Sequence, residues 1–217
     1  MRKVSTLIGL TLLALGAGAR ADDGAPAAAI VAPAPYAPPL ERPPRRMQLD
    51  LAFLPMGLGK YTTPIGGLPT TGDALFAYGG GASWSYRLLY GFKVGVTAQA
   101  IFNVNYKVNP SEIAAAPPAR QYDGLVLLGY EFPIVDGITV YVDALPGYSL
   151  IALPGTSPAK GLVFAAEVGV AMDMTDQIFA KLGAGYEWGF QKVTQSGSDF
   201  DNKTSYLRIA LGGGVRF

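Results

Sequence analysis

The C-terminal stretch Leu207 to Phe217 (LRIALGGGVRF) sorts its residues strictly by parity. Counting back from Phe217, every second residue is Val215, Gly213, Leu211, Ile209 and Leu207, while Arg216, Gly214, Gly212, Ala210 and Arg208 fill the places between. Side chains of a β-strand point alternately to opposite faces, so this strand has arginines on one face and Leu, Ile, Val and Phe on the other. Such a strand separates a wet side from an oily one.

The N-terminus points the same way. Arg2 and Lys3 precede an apolar run from Leu7 to Ala17, and Ala19-Arg20-Ala21 supplies the small, x, small cleavage pattern of an export signal. The run is too short for a spanning helix, which needs roughly 20 residues. Residues 1–21 are therefore read as a signal peptide, with the mature chain starting near Asp22. The absence of cysteine suits an exported chain and excludes both a disulfide framework and a lipid-modified N-terminal cysteine.

Charge adds a further limit. Of 17 basic residues, Arg2, Lys3 and Arg20 leave with the signal, so 14 face 16 acidic residues, and nothing suggests a nucleic-acid partner. Half of the chain is hydrophobic, 50% against 15% charged, yet beyond the signal no apolar run approaches a spanning helix. Alternating membrane strands produce this combination, because half of each strand faces lipid.

Residues 22–46 are dominated by Ala and Pro (GAPAAAIVAPAPYAPPLERPPRR over 24–46). They lack the bulk for a core and read as a disordered, extended periplasmic tether. The alternative is a docking peptide or a spacer toward the cell wall. Arg42, Arg45 and Arg46 stand where basic side chains would meet anionic headgroups.

From Met47 the chain reads as strands divided by alternately long and short connections. Strand one spans Met47 to about Gly59, and a Gly, Pro, Thr-rich connection runs to Asp73. Strand two, Leu75 to Leu89, sends Tyr78, Trp84, Tyr86 and Leu88 outward and Ser83, Ser85 and Arg87 inward. After a turn at Tyr90-Gly91, strand three sends Phe92, Val94, Val96, Phe102, Val104 and Tyr106 outward against Lys93, Thr97 and Gln99. A connection from Val108 to Ala119 leads to strand four, whose Tyr122, Val126, Leu128, Tyr130 and Phe132 oppose Asp123 and Glu131. Strand five, from Ile138, turns Thr139, Tyr141, Asp143 and Ser149 inward. Strand six places Glu167 against Leu162, Phe164, Val168 and Val170. Strand seven places Lys181, Glu187 and Gln191 against Ile178, Leu182, Trp188 and Phe190. A polar loop, Thr194 to Lys203, precedes strand eight. This pattern predicts an all-β fold over 47–217, an eight-stranded antiparallel up-and-down transmembrane β-barrel with both ends on the short-turn rim. A soluble barrel would reverse the two faces.

The chain resembles the small eight-stranded outer-membrane barrels, the OmpA transmembrane domain, OmpX and OmpW group. The resemblance covers Met47 to Phe217 and includes a terminal strand of the form polar, x, Gly, x, x, apolar, x, aromatic. Gly212, Val215 and Phe217 match it, while Ala210 stands in the polar place. The resemblance implies the outer membrane as location, with tether and C-terminus periplasmic. It also implies lipid and the barrel-insertion machinery as partners. No cell-wall-binding domain is expected to follow, since the barrel ends the chain. A monomer is expected.

The inward charges are the candidate functional residues. Asp50, Arg87, Lys93, Glu131 and Arg216 are expected near the turn rim, and Asp143, Glu167, Lys181 and Arg208 at mid-height, with Lys181 and Arg208 neutralising Asp143 and Glu167. An eight-stranded barrel is just wide enough for such side chains to fill it. A salt-bridged plug is the expected state; inward glycines such as Gly129, Gly169 and Gly183 either leave a narrow path for small solutes, the alternative, or relieve crowding beside Tyr141 and Phe179. Neither a cofactor nor a metal is expected. The chain has no histidine and no cysteine, which removes the usual general base and the thiol nucleophile and argues against an enzyme. Any partner specificity is assigned to the connections Lys60 to Asp73, Pro110 to Arg120 and Thr194 to Lys203.

Overall fold

The computed structural model describes residues 45–65, 68–74, 76–104, 106–107, 119–152, 157–195 and 197–217. The signal peptide, the tether up to residue 44 and nearly all of the connection Val108 to Ala119 lie outside these residues. The strands are β1 (Met47–Ile65), β2 (Leu68–Ala74), β3 (Ala77–Arg87), β4 (Phe92–Val104), β5 (Tyr106–Lys107), β6 (Ala119–Val135), β7 (Ile138–Ala152), β8 (Ala159–Asp173), β9 (Ile178–Gln195) and β10 (Ser198–Arg216).

All pairings are antiparallel, and the sheet closes on itself where β10 pairs with β1. β2 and β3 behave as one strand: Gly59 faces Ala74 and Met56 faces Ala77 in a single register, interrupted only opposite Gly57-Leu58. β5 continues β4 in the same way, since Asp73 faces Lys107 in the register that sets Tyr78 opposite Phe102. The result is a ring of 8 strands. At the turn rim Met47 and Phe217 exchange backbone hydrogen bonds of 3.0 Å in both directions. Arg45 donates to the Asp176 carbonyl and Arg46 to the Tyr86 hydroxyl, at 3.3 Å for the latter, so this arginine pair engages the rim itself.

Every strand of the ring exposes apolar side chains on the outer wall: Leu51, Trp84, Val96, Leu128, Val142, Val168, Leu182 and Leu211 form a continuous belt. An uninterrupted apolar belt around a protein is incompatible with water and is matched by hydrocarbon. Aromatic contacts border it. Phe92, Tyr130 and Phe132 meet near the turn rim with ring centres 4.8 and 4.4 Å apart, and Tyr186, Trp188 and Phe164 meet toward the other rim at 4.8 and 5.8 Å.

Three expectations are corrected. The stretch Lys60 to Asp73 is a hairpin rather than a loop, with Tyr61 buried inside and the Thr62 and Thr71 hydroxyls 3.0 Å apart. The stretch Thr194 to Lys203 is likewise mostly ladder, turning at Gly197, whose φ of 80° suits glycine. β-branched threonines and alternating residues extend these strands past the belt, so polarity there marks solvent beyond the membrane and not irregular backbone. Val104 points inward. A register shift between Ile101 and Val104 inserts a bulge that inverts the parity established by Phe92, Val94 and Val96.

Candidate functional site

The interior is layered, and more apolar than alternation with charge predicted. Toward the long-strand rim Leu54, Met56, Tyr61, Ile101, Val104, Ile151, Val193 and Tyr206 pack together. Leu125, Leu127, Leu145 and Val163 form a second cluster lower down, and Tyr141, Ala171 and Phe179 a third toward the turn rim. All but Tyr61 and Val104, which follow the irregularities between Gly57 and Lys60 and between Ile101 and Val104, share the inward parity of the charges, so the pattern of the sequence contained them.

Between the apolar layers runs one polar network. Near the turn rim Arg87 pairs with Glu131, and Lys93 Nζ lies 3.6 Å from Glu131 and 2.9 Å from Asp143. Tyr141 stands at its centre, with Lys93 Nζ 4.9 Å and Lys181 Nζ 5.3 Å from its ring centre and its hydroxyl donating to Glu167 at 2.8 Å. Cations over an aromatic face gain electrostatic stabilisation in a dry setting. Lys181 reaches Asp50 at 3.7 Å, and Gln48 supports that carboxylate with an amide hydrogen bond of 3.1 Å. Arg208 bridges Glu167 at 3.4 Å and Glu187 at 3.2 Å. Gln99 Nε2 then donates to Asp123 at 2.7 Å and to Glu187 at 2.9 Å, and Gln121 Nε2 donates to Glu187 at 2.8 Å.

This geometry revises the expected partners. Asp143 is neutralised by Lys93, and Lys181 turns to Asp50. Arg208 does meet Glu167. Arg216 leaves the expected rim group, pairing with Asp173 and lying 4.6 Å over the Phe179 ring. Asp123, Glu187, Tyr141 and the two glutamines complete the network although only the charges named earlier were picked out. Inward parity was the available signal for all five, and for Asp123 and Glu187 charge as well; the amides and the phenol carry no charge to draw attention.

Several ion pairs here, the revised ones among them, skip a strand. Lys93 on β4 and Asp143 on β7 meet over β6, at Gly129, where an added Cβ would lie 2.4 Å from Lys93 Cε and 2.3 Å from Asp143 Oδ1. Arg208 on β10 and Glu167 on β8 meet over β9, where a Cβ at Gly183 would lie 2.7 Å from Glu167 Oε1 and 2.2 Å from the Tyr141 hydroxyl. Gly129 and Gly183 are thus saddles occupied by crossing side chains, and Gly169 and Gly183 relieve crowding beside Tyr141. At mid-height a cavity lined by Leu54, Ser83, Thr97, Asp143, Glu167, Lys181 and Arg208 among others measures about 20 Å³. Among the described residues no group of acidic, histidine or cysteine side chains is arranged to hold a metal ion.

No family model matches this sequence. No curated protein matches it either. Solved structures do. Outer membrane protein OprG from Pseudomonas aeruginosa superposes with a TM-score of 0.52 at 14% identity, covering 77% of this chain and 95% of that one. This chain has the fold of the small eight-stranded outer-membrane barrels. Neisserial surface protein A is also similar, at 15% identity and a TM-score of 0.49 over 79% of this chain and 97% of its own. AlkL, determined in lipid bilayers, gives 14% and 0.49 over 79% and 90%. In this barrel, the strands that project past the belt, β1/β2 and β9/β10, lie at the rim opposite the one shared by the turns after β3, β6 and β8 and both ends of the sheet.

Proposed function

We propose that this chain is a monomeric, non-enzymatic barrel of the bacterial outer membrane with a structural or surface-interaction role and a lumen closed by its own side chains. The observation that carries this is a contact across the lumen: Gln99 on β4 donates to Glu187 on β9, on the opposite wall of the ring, at 2.9 Å. A passage for solutes would have to part that contact, and the mid-height cavity of about 20 Å³ has room for about one water. The projecting hairpins β1/β2 and β9/β10 then offer the surface for interaction, while residues 1–21 act as export signal and 22–46 as periplasmic tether.

A narrow channel is the second reading. It is favoured by buried polar atoms without a protein hydrogen-bond partner, among them Gln121 Oε1, Asn202 Oδ1 and Thr204 Oγ1, which water would satisfy. Planar-bilayer recording separates the two. The closed barrel gives little or no steady conductance. A steady conductance whose ion selectivity moves toward cations in Lys181→Ala replaces the first reading with the second.

The terminal strand is proposed to carry the assembly signal for the barrel-insertion machinery through Gly212, Val215 and Phe217. Phe217 is exposed and its main chain already pairs with Met47, so its ring is free for recognition. Phe217→Ser is expected to lower the yield of folded barrel in cells several-fold relative to Asp199→Ser, a change in an exposed hairpin. Equal yields in the heat-modifiability assay count against the signal.

A further inference from the structure

Among the described residues the lumen does not balance its charge. It buries six carboxylates, those of Asp50, Asp123, Glu131, Asp143, Glu167 and Glu187. Four cations pair with them, Arg87, Lys93, Lys181 and Arg208, while Arg216 is matched by Asp173. Two negative charges are left over. Asp123 is the one buried carboxylate among the described residues that no lysine or arginine reaches, and Glu187 shares its cation, Arg208, with Glu167. A charge taken out of water without a counter-charge strongly disfavours the folded state.

The two carboxylates at this place are held together by neutral amides. Gln99 Nε2 lies 2.7 Å from Asp123 Oδ2 and 2.9 Å from Glu187 Oε2, and Gln121 Nε2 lies 3.0 Å from Asp123 Oδ2 and 2.8 Å from Glu187 Oε1. Neither Gln99 Oε1 nor Gln121 Oε1 has a hydrogen-bond partner, and the Ser149 hydroxyl, opposite Asp123 on β7, has none either. All five side chains are at most 4% exposed. A half-turn of each amide about its last bond puts Oε1 where Nε2 stands and takes no hydrogen bond from those oxygens. Two carboxylates and two amide oxygens then face one point between β4, β6 and β9, six oxygens in all.

We propose that Asp123, Glu187, Gln99 and Gln121 form a calcium site, filled as the ring closes. The acidic side chains alone are too few to enclose an ion, and the amide oxygens complete the shell. Calcium takes six to eight oxygens at about 2.3–2.6 Å in irregular arrangements, and its charge cancels the surplus. Magnesium demands a near-regular octahedron at about 2.0–2.1 Å, which side chains fixed on three strands do not contract to meet. A monovalent ion leaves one charge uncancelled. The ion takes over the tie across the lumen that Gln99 makes to Glu187, so the site rests on the closed-lumen reading and deepens it. Conductance tests closure and calcium retention tests the site, so the two fail separately.

Full-length protein is refolded into zwitterionic phosphatidylcholine vesicles, either with calcium chloride or with the chelator EGTA, then washed in EGTA and assayed for bound metal. Wild type refolded with calcium is expected to keep about one ion per chain through the wash, to release it on heat unfolding, and to unfold at higher urea than protein refolded in EGTA. Magnesium or sodium at equal ionic strength is expected to give no such gain. Asp123→Asn is expected to keep no calcium and, in EGTA, to unfold at higher urea than wild type, because the surplus charge is reduced. A residue that only accepted hydrogen bonds would lose stability instead. No retained calcium in wild type, or equal retention by Asp123→Asn, overturns the site. So does a wild-type midpoint that ignores calcium and rises on acidification, which gives the surplus charge to a proton. Heat-modifiability confirms folding of each sample. If Asp123→Asn fails it, Gln121→Met takes its place, with calcium expected to bind about tenfold more weakly, and unchanged binding overturns the site.

Discussion

Arg208→Ala lowers the stability of the folded barrel by about 3–5 kcal/mol, the cost of leaving buried charge without its partner. Arg208 is 3% exposed and is the cation shared by Glu167 and Glu187. Asp123 joins the same cluster through Gln99 and Gln121. Three buried carboxylates would then be left with amide donors and the Tyr141 hydroxyl, which share negative charge but do not cancel it. Urea unfolding in phospholipid vesicles, followed by tryptophan emission, measures the loss. Lys181→Ala is expected to cost clearly less, since Lys181 approaches Asp50 only to 3.7 Å and Gln48 remains as a donor. If the Arg208→Ala midpoint matches wild type, water or counterions reach the site and the lumen is not closed. Combining Arg208→Met with Glu187→Gln should recover part of the loss, because the second change removes one of the orphaned charges.

The closing seam gives the second large effect. Gly212→Ala is expected to remove most of the folded barrel, whereas Gly124→Ala leaves its yield unchanged. A Cβ at Gly212 would lie 2.0 Å from the Leu51 carbonyl oxygen and 2.8 Å from Ala52 Cα, both backbone atoms of the strand that β10 must reach to close the ring. Backbone cannot rotate aside as a side chain can, so the seam must open locally, at a cost of about 1–3 kcal/mol or more. Nothing lies within 4 Å of a Cβ at Gly124, on the outer wall, where alanine fits a strand better than glycine. Comparing the heat-modifiable fractions of the two variants checks this. Similar fractions would mean that the seam tolerates a wider strand separation than the structure has.

The Gly212 result also explains part of the terminal motif in structural terms. Its glycine was legible as a recognition element only by resemblance, while the structure assigns it a steric duty at the β1–β10 seam. Both requirements fall on one residue, so Phe217→Ser, which keeps the main-chain pairing with Met47, is the better measure of recognition.

Parity along each strand was readable from the sequence because it is local: adjacent side chains of extended backbone point to opposite sides whatever the strand pairs with. It determined the outer belt, the inward placement of Asp50, Lys93, Asp143, Glu167, Lys181 and Arg208, the strand count and the turn rim. Parity failed where the local rule is broken, at the bulge that turns Val104 inward. It was also set aside too early at Thr62 and Thr71, where a strand continues beyond the membrane.

Which charge meets which was decided by tertiary structure alone. Partners such as Lys93 and Asp143, or Arg208 and Glu167, lie on strands separated by a third. Their meeting depends on the tilt and stagger of the closed ring, and on glycines at the crossing points, Gly129 and Gly183, that leave the intervening wall bare. Sequence position gives the face of each residue, while height and angle around the barrel arise only when the last strand pairs with the first.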